Sequence, residues 1–186
     1  MLRFVAFLLL LGALPVRLAA QQNTVLIIAD DFGTDYCGFY DDGLDTANMP
    51  NVRSLLRRGV RFDRAWSFPY CSPARAAMLT GRFPFRTGVG TVIAGPTNTQ
   101  LDTAESSIGK LLKSLLPGGC ATANIGKWHL HQPTPANRNN PEVLGYDHYS
   151  GMFSGAVADY FDWQKIVDGI APVTVTNYAT TELVDD

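Results

Sequence analysis

No stretch of the 186 residues is low in complexity, and neither sign of charge dominates. With a formal net charge of −2 the chain has no polycationic signature, so its bulk electrostatics do not point to nucleic acid. An anionic small substrate stays open, because a pocket can be locally basic on a mildly acidic protein. Beyond the N-terminal segment no apolar run is long enough to cross a bilayer. Cysteine is scarce, at three residues, and the number is odd. What remains, 46% hydrophobic and 17% charged, suits one ordinary domain with its own core.

The N-terminus is the exception to that evenness. Arg3 supplies a positive charge, residues 4–16 are apolar apart from Gly12 and Pro15, and Leu18-Ala19-Ala20 offers small residues before Gln21-Gln22. That order predicts a secretory signal peptide over residues 1–20, removed to leave a mature chain from residue 21. Export to the periplasm or the exterior follows, with no stable membrane span. In an oxidising compartment Cys37 and Cys120 can pair, which leaves Cys71 over.

Along the mature chain, strand-like and helix-like segments alternate. Thr24-Val25-Leu26-Ile27-Ile28-Ala29 is a continuous β-rich run ending at Asp30-Asp31-Phe32-Gly33, as expected of a strand buried on both faces. Asn48 and Pro50 predict a helix start, Val52, Leu55 and Leu56 its apolar face, and Gly59 its stop; residues 60–65 then read as a strand. Ile108, Leu111, Leu112, Leu115 and Leu116 form a helical stripe closed by Pro117-Gly118-Gly119. Residues 120–125 read as a strand before Gly126-Lys127-Trp128-His129, and residues 131–140 as an irregular loop. From Asn177 the chain turns helix-like, with Tyr178, Leu183 and Val184 as core contacts, and it reaches Asp186 without a cap, as if cut. The alternation predicts an α/β fold, a largely parallel (mixed) sheet sandwiched by helices. Ligands gather at the carboxyl ends of such strands, where Asp30-Asp31 and Lys127/His129 fall.

Cys71 is the residue that needs an account. Pro73 suits a first helical turn and Ala74-Arg75-Ala76-Ala77-Met78-Leu79 are good helix formers, ended by Thr80-Gly81. Cys71 then stands at a helix N-terminus, where free N–H groups favour an anion, with Arg75 one turn further in. Adjacent carboxylates such as Asp30 and Asp31 either cap the next element or share a hard cation, Ca²⁺ or Mg²⁺. Lys127 and His129, two residues apart in an extended segment, point to one face.

Cys71-x-Pro73-x-Arg75, continued by Ala76-Ala77-Met78-Leu79-Thr80-Gly81-Arg82, resembles the signature of the type I, formylglycine-dependent sulfatases of the alkaline phosphatase superfamily. Ala29-Asp30-Asp31-Phe32-Gly33, Gly126-Lys127-Trp128-His129-Leu130 and Gly145-Tyr146-Asp147-His148-Tyr149 occur in the family's order. The resemblance implies an alkaline-phosphatase-like fold and a nucleophile made when a maturation enzyme oxidises Cys71 to Cα-formylglycine, which acts as its hydrate. It implies that Asp30, Asp31 and the modified Cys71 bind one divalent metal, usually calcium, and that Arg75 orients the formylglycine. It assigns Lys127 to the sulfate oxygens and His129 to the formylglycine hydroxyl. The substrate would be a sulfate ester, aryl or carbohydrate, with no nucleic acid partner; one hydroxyl attacks sulfur and the second expels sulfate.

Some positions stay open. Ser150 and Ser154 both lie where a serine can stand near the nucleophile, His131 occupies a position often held by glycine, and His131 and His148 read as structural. A formylglycine-dependent phosphonate monoester or phosphodiester hydrolase is the nearest alternative, and a non-catalytic sulfated-glycan binder the other. The family's members are longer and supply further metal ligands and the leaving-group acid downstream. These 186 residues alone are therefore expected to be inactive, as the truncated front of such a fold.

Overall fold

The computed structural model describes residues 23–40, 46–116 and 119–186. The expected signal peptide lies outside these residues, as do Pro117 and Gly118. Among the described residues no helix is long and apolar enough to cross a membrane. The chain divides into two compact units, one ending at Arg58 and one beginning at Gly59.

In the first unit, residues 24–29 take no regular structure, contrary to the expected buried strand, and Val25 and Ile27 are 81% and 80% exposed. An apolar run states a burial requirement, but a strand exists only through a hydrogen-bonded neighbour, and none pairs with this run among the described residues. Asp30 and Asp31 follow in a turn, then a single 3-10 turn at Thr34–Tyr36. Helix α1, Pro50–Leu56, forms where expected, with Pro50 in its first turn. Its cap residue is Met49, not Asn48, and no side chain caps it. The Arg53 guanidinium instead lies 4.8 Å over the Phe39 ring, a cation–π contact that ties the helix to the preceding loop.

The second unit opens with another correction. Residues 60–65 form no strand, and Val60 and Phe62 are exposed. Helix α2, Cys71–Thr80, then forms from the good helix formers identified in the sequence. Gly81 closes it in the left-handed region at φ 68°, its N–H bonded to the Ala77 carbonyl at 2.8 Å. Ser72, Pro73, Ala74, Ala76 and Leu79 make its buried face. A short helix α3, Pro84–Thr87, follows and ends at Gly88.

Helix α4, Ile108–Leu115, also forms, but not on the expected face. Of its apolar stripe, Ile108, Leu111, Leu115 and Leu116 are exposed, and only Gly109 is buried. The reason lies at its N-terminus. The Ser107 hydroxyl accepts the Lys110 N–H at 3.2 Å and donates to the Leu144 carbonyl. Gly109 meets the backbone of Gly145 so closely that a Cβ there would come within 2.9 Å of its carbonyl. Docking by the smallest residue turns the leucines outward.

The sheet has four strands in the order β1-β2-β3-β4. These are β1, Ala123–Lys127; β2, His148–Met152; β3, Trp163–Val167; and β4, Val173–Val175. The α/β class and the mixed sheet are as expected, but parallel pairing is confined to β1 and β2; β2–β3 and β3–β4 are antiparallel. Strand β1 starts later than residue 120, because Thr122 is held in a different pattern. Its N–H donates to the Asp147 carboxylate at 2.9 Å and its carbonyl accepts from the Asp147 N–H at 2.8 Å. The loop of residues 131–140 contains only turns before helix α5, Asn140–Val143.

The core gathers Ala76 and Leu79 of α2, Val89, Ile93 and Leu101 from the following loops, and Trp128, Leu130, Leu144, Tyr146, Tyr149, Phe153 and Ile166 from around the sheet. Trp128 meets Tyr146 and Tyr149 edge to face, with centroids 6.0 and 6.1 Å away, and donates its Nε1–H to the Asn140 side chain at 2.8 Å. Burying each such ring stabilises the unit by about 1.5–3 kcal/mol. The last helix, α6, Ala179–Asp185, forms as expected but buries Ala179, while Tyr178 and Val184 are exposed and Leu183 half-buried. What attaches it is polar. Lys165 of β3, itself buried, donates to Glu182 at 2.5 Å and Asp186 at 3.0 Å, and the Ser150 hydroxyl donates to Asp186 at 2.7 Å.

Candidate active site

Cys71 is the first residue of α2, preceded by Tyr70 in extended conformation. Its thiol is half-buried and free, as are those of Cys37 and Cys120, so the contemplated pairing of those two is not formed. The helix is long enough for its unsatisfied N-terminal N–H groups to favour an anion beside residue 71. Ser72, next in the chain, is fully buried, and its Oγ accepts the Ile93 N–H at 3.1 Å. That bond fixes the first turn of α2 against the loop containing Ile93.

Arg75 lies one turn into α2 and is half-buried. Its Nη1 donates to the Lys127 carbonyl oxygen at 2.5 Å, so the end of β1 and the helix that begins at Cys71 are joined directly. Lys127 is the last residue of that strand, the carboxyl-end position anticipated from the sequence. The second part of that expectation needs correction. His129 does not continue an extended segment with Lys127, because its backbone turns into the left-handed region at φ 54°. Strand periodicity therefore does not set which way its side chain points.

His129 is 3% exposed and held from three sides. Its backbone N–H donates to the Phe153 carbonyl at 3.1 Å. Its Nε2 lies 3.3 Å from the Ile93 carbonyl oxygen. Gly155 packs against the ring so tightly that a Cβ would fall 2.6 Å from Cε1. The nearby Tyr149 phenol has its pKa raised, first by burial and then by the Glu142 charge, with Arg75 opposing. It stays protonated, and its hydroxyl donates to the Gly126 carbonyl at 3.2 Å.

Asp30 and Asp31 belong to the first unit, both exposed in a turn, with Asp31 left-handed at φ 51°. Neither is the cap residue of the 3-10 turn that follows, which is Gly33, without a side-chain bond. The capping reading thus loses its footing, while two adjacent hard oxygen donors remain a fit for Ca²⁺ or Mg²⁺. The two candidate serines separate. Ser150 is fully buried and bonded to Asp186, whereas Ser154 is exposed and donates to the Ala156 carbonyl at 2.9 Å. Both extra histidines have structural partners: His131 Nδ1 lies 2.7 Å from the Asn137 amide, and His148 bonds Asp168 at 3.1 Å.

Ser72, Ile93, Gln132 and Gly155, which support His129 and the start of α2, are invisible to motif reading. Ile93 and Gly155 act through backbone, which no side-chain pattern advertises.

Comparison with known proteins gives this arrangement a context. Residues 22–185 match the family profile described as Sulfatase. The human (Homo sapiens) steryl-sulfatase is 37% identical over 144 residues, covering 72% of this chain and 24% of that protein. The rat (Rattus norvegicus) N-acetylgalactosamine-6-sulfatase is 31% identical over 173 residues, 84% of this chain and 32% of that protein. A crystal structure of Ps i-CgsB in complex with k-i-k-neocarrahexaose superposes over 83% of this chain and 38% of its own, with a TM-score of 0.66 and 28% identity. The chain thus spans about a quarter to a third of the curated relatives' length. With its profile match running through Cys71, Arg75, Lys127 and His129, the chain belongs to the sulfatase family.

Proposed function

We propose that this chain is the nucleophile-bearing part of a sulfuric ester hydrolase. Residues 1–20 would be its export signal and residues 21–186 the first part of its catalytic domain, working in the periplasm or outside the cell. The observation that carries this reading is the joint between Cys71's helix and the end of β1, made by Arg75 on the Lys127 carbonyl. It brings the Arg75 guanidinium and a helix N-terminus to the strand end that carries Lys127, which suits the anionic transition state of sulfuryl transfer.

Formylglycine made from Cys71 by a maturation enzyme would supply paired hydroxyls, one to attack sulfur and one to release sulfate. A single divalent ion, calcium by family habit, would supply Lewis-acid stabilisation, held by Asp30, Asp31 and residue 71. The chain's own residues do the rest. The Arg75 guanidinium orients residue 71, and the Lys127 ammonium binds sulfate oxygens. His129, kept from solvent, takes the proton from the hydroxyl that expels sulfate. Tyr149, held neutral, adds no competing negative charge.

The substrate is a sulfate monoester. A carbohydrate sulfate is favoured by the likeness to Ps i-CgsB, whose complex contains k-i-k-neocarrahexaose, and to the N-acetylgalactosamine-6-sulfatase. The test is turnover of an aryl sulfate and of sulfated oligosaccharides by the full-length protein expressed with its maturation system. Sulfate release that survives Cys71→Ala unchanged sinks the proposal.

A further inference from the structure

The Ile93 carbonyl oxygen receives two side chains at once. His129 Nε2 lies 3.3 Å from it, and the Gln132 Nε2 donates to it at 3.0 Å. The same residue's N–H is bonded to Ser72, next to the nucleophile. Ile93 itself is 2% exposed, so both of its backbone groups need these partners. Gln132 is held in turn, its backbone N–H donating to the Gln100 side chain at 2.7 Å.

A carbonyl oxygen accepts and cannot donate, so the imidazole nitrogen facing it carries the hydrogen. The geometry points to Gln132 as a positioning residue for the proposed hydrolysis. By clamping the Ile93 carbonyl it holds His129 in the Nε2–H tautomer, which leaves Nδ1 as the nitrogen that accepts the proton. No other titratable group is needed for this assignment. The Gln132 amide and the His129 ring both reach this one oxygen, and the carbonyl cannot swing away without losing both. Gly155 packs against the Cε1–Nε2 edge of the same ring and leaves no room for it to shift on that side. The chain Ser72–Ile93–His129 therefore ties the first turn of the nucleophile helix to the base through one peptide segment.

The inference rests on the sulfatase reading for the word base, but the tautomer does not depend on turnover. The experiment uses the full-length protein labelled with ¹⁵N-histidine. The expected spectrum shows His129 with an imine-type Nδ1 and a pyrrole-type Nε2; the reverse pattern overturns the inference even if sulfate release is robust. Conversely, the expected tautomer in a protein without sulfatase activity removes the functional reading and leaves the clamp standing.

Gln132→Glu and Gln132→Met keep the side chain's size but remove the donor. Both are expected to mix the His129 tautomers and to lower kcat roughly tenfold, at the lower end for residues that act through a neighbour, with KM little changed. Two variants guard against a folding failure in one. A wild-type tautomer pattern with unchanged kcat in either folded variant overturns the role of Gln132, as does a loss confined to KM.

Discussion

Arg75 Nη1 donates a hydrogen bond to the Lys127 carbonyl oxygen at 2.5 Å, joining two residues 52 apart in sequence. The bond makes one side chain serve both the helix that presents Cys71 and the strand that presents Lys127. Replacing it by Ala is expected to lower kcat on an aryl sulfate by roughly 10²–10³-fold, the range for losing one charged donor to a developing anion. Arg75→Lys is expected to recover little of this, because an ammonium lacks the planar fork. Steady-state kinetics of both variants decide it; full activity in either removes Arg75 from the proposed site.

Gly155 tolerates nothing larger. A Cβ at that position would stand 2.6 Å from the ring of His129, a residue only 3% exposed. Gly155→Ala is expected to destabilise the protein by about 1–3 kcal/mol and to lower turnover beyond what its melting temperature explains. A variant with wild-type turnover would show that His129 does not need its present place.

The proposed metal site can be tested apart from chemistry. Calcium titration by calorimetry of the full-length protein is expected to show one site, lost in Asp30→Asn and Asp31→Asn. A chelator is expected to lower the melting temperature of the wild type only. Undiminished calcium binding by either variant would remove that aspartate from the ligand set.

Acid should loosen α6. Hydrogen bonds from Lys165 and then Asn177 hold the Glu182 carboxyl below its usual pKa. For Asp186, burial opposes ionisation but is outweighed by Ser150 and Lys165, and its pKa is also lowered. Lys165 is penalised by burial, yet these two carboxylates raise its pKa. Depressed carboxylates contribute stability above the ordinary carboxylate range, and it is lost as pH falls through their folded values, below about pH 4. The raised lysine contributes below about pH 10 and loses its share only above that. Melting curves from neutral to acid pH are expected to fall more steeply in the wild type than in Lys165→Met. Parallel curves would show that the network contributes nothing.

Local rules carried further than long-range ones in this chain. The helix of Cys71, its glycine stop and the helix at Pro50 are decided by propensity and by Pro and Gly placement, and they form where those signals put them. The runs at residues 24–29 and 60–65 declare apolarity but not a neighbour, and none pairs with them among the described residues. At Ile108 the period of the leucines predicts a helix, yet the contact is chosen by Gly109, whose meaning depends on Gly145 far along the chain. The candidate site residues were legible because Cys, Arg, Lys and His in a motif announce themselves. Their supports were not, since Ile93 and Gly155 contribute a peptide group and an absence of side chain.

His129 sits at φ 54°, a conformation that costs an ordinary residue about 1–2 kcal/mol and a glycine almost nothing. Backbone strain and side-chain burial therefore pull this position in opposite directions: glycine would relieve the strain but empty the ring's packed site and take a partner from the Ile93 carbonyl. In a library randomised at residue 129, sorting by turnover should return histidine, while sorting by heat resistance weighs the strain against the cavity. The gap between the two winners reads how one position is divided between the backbone's preference and the imidazole's.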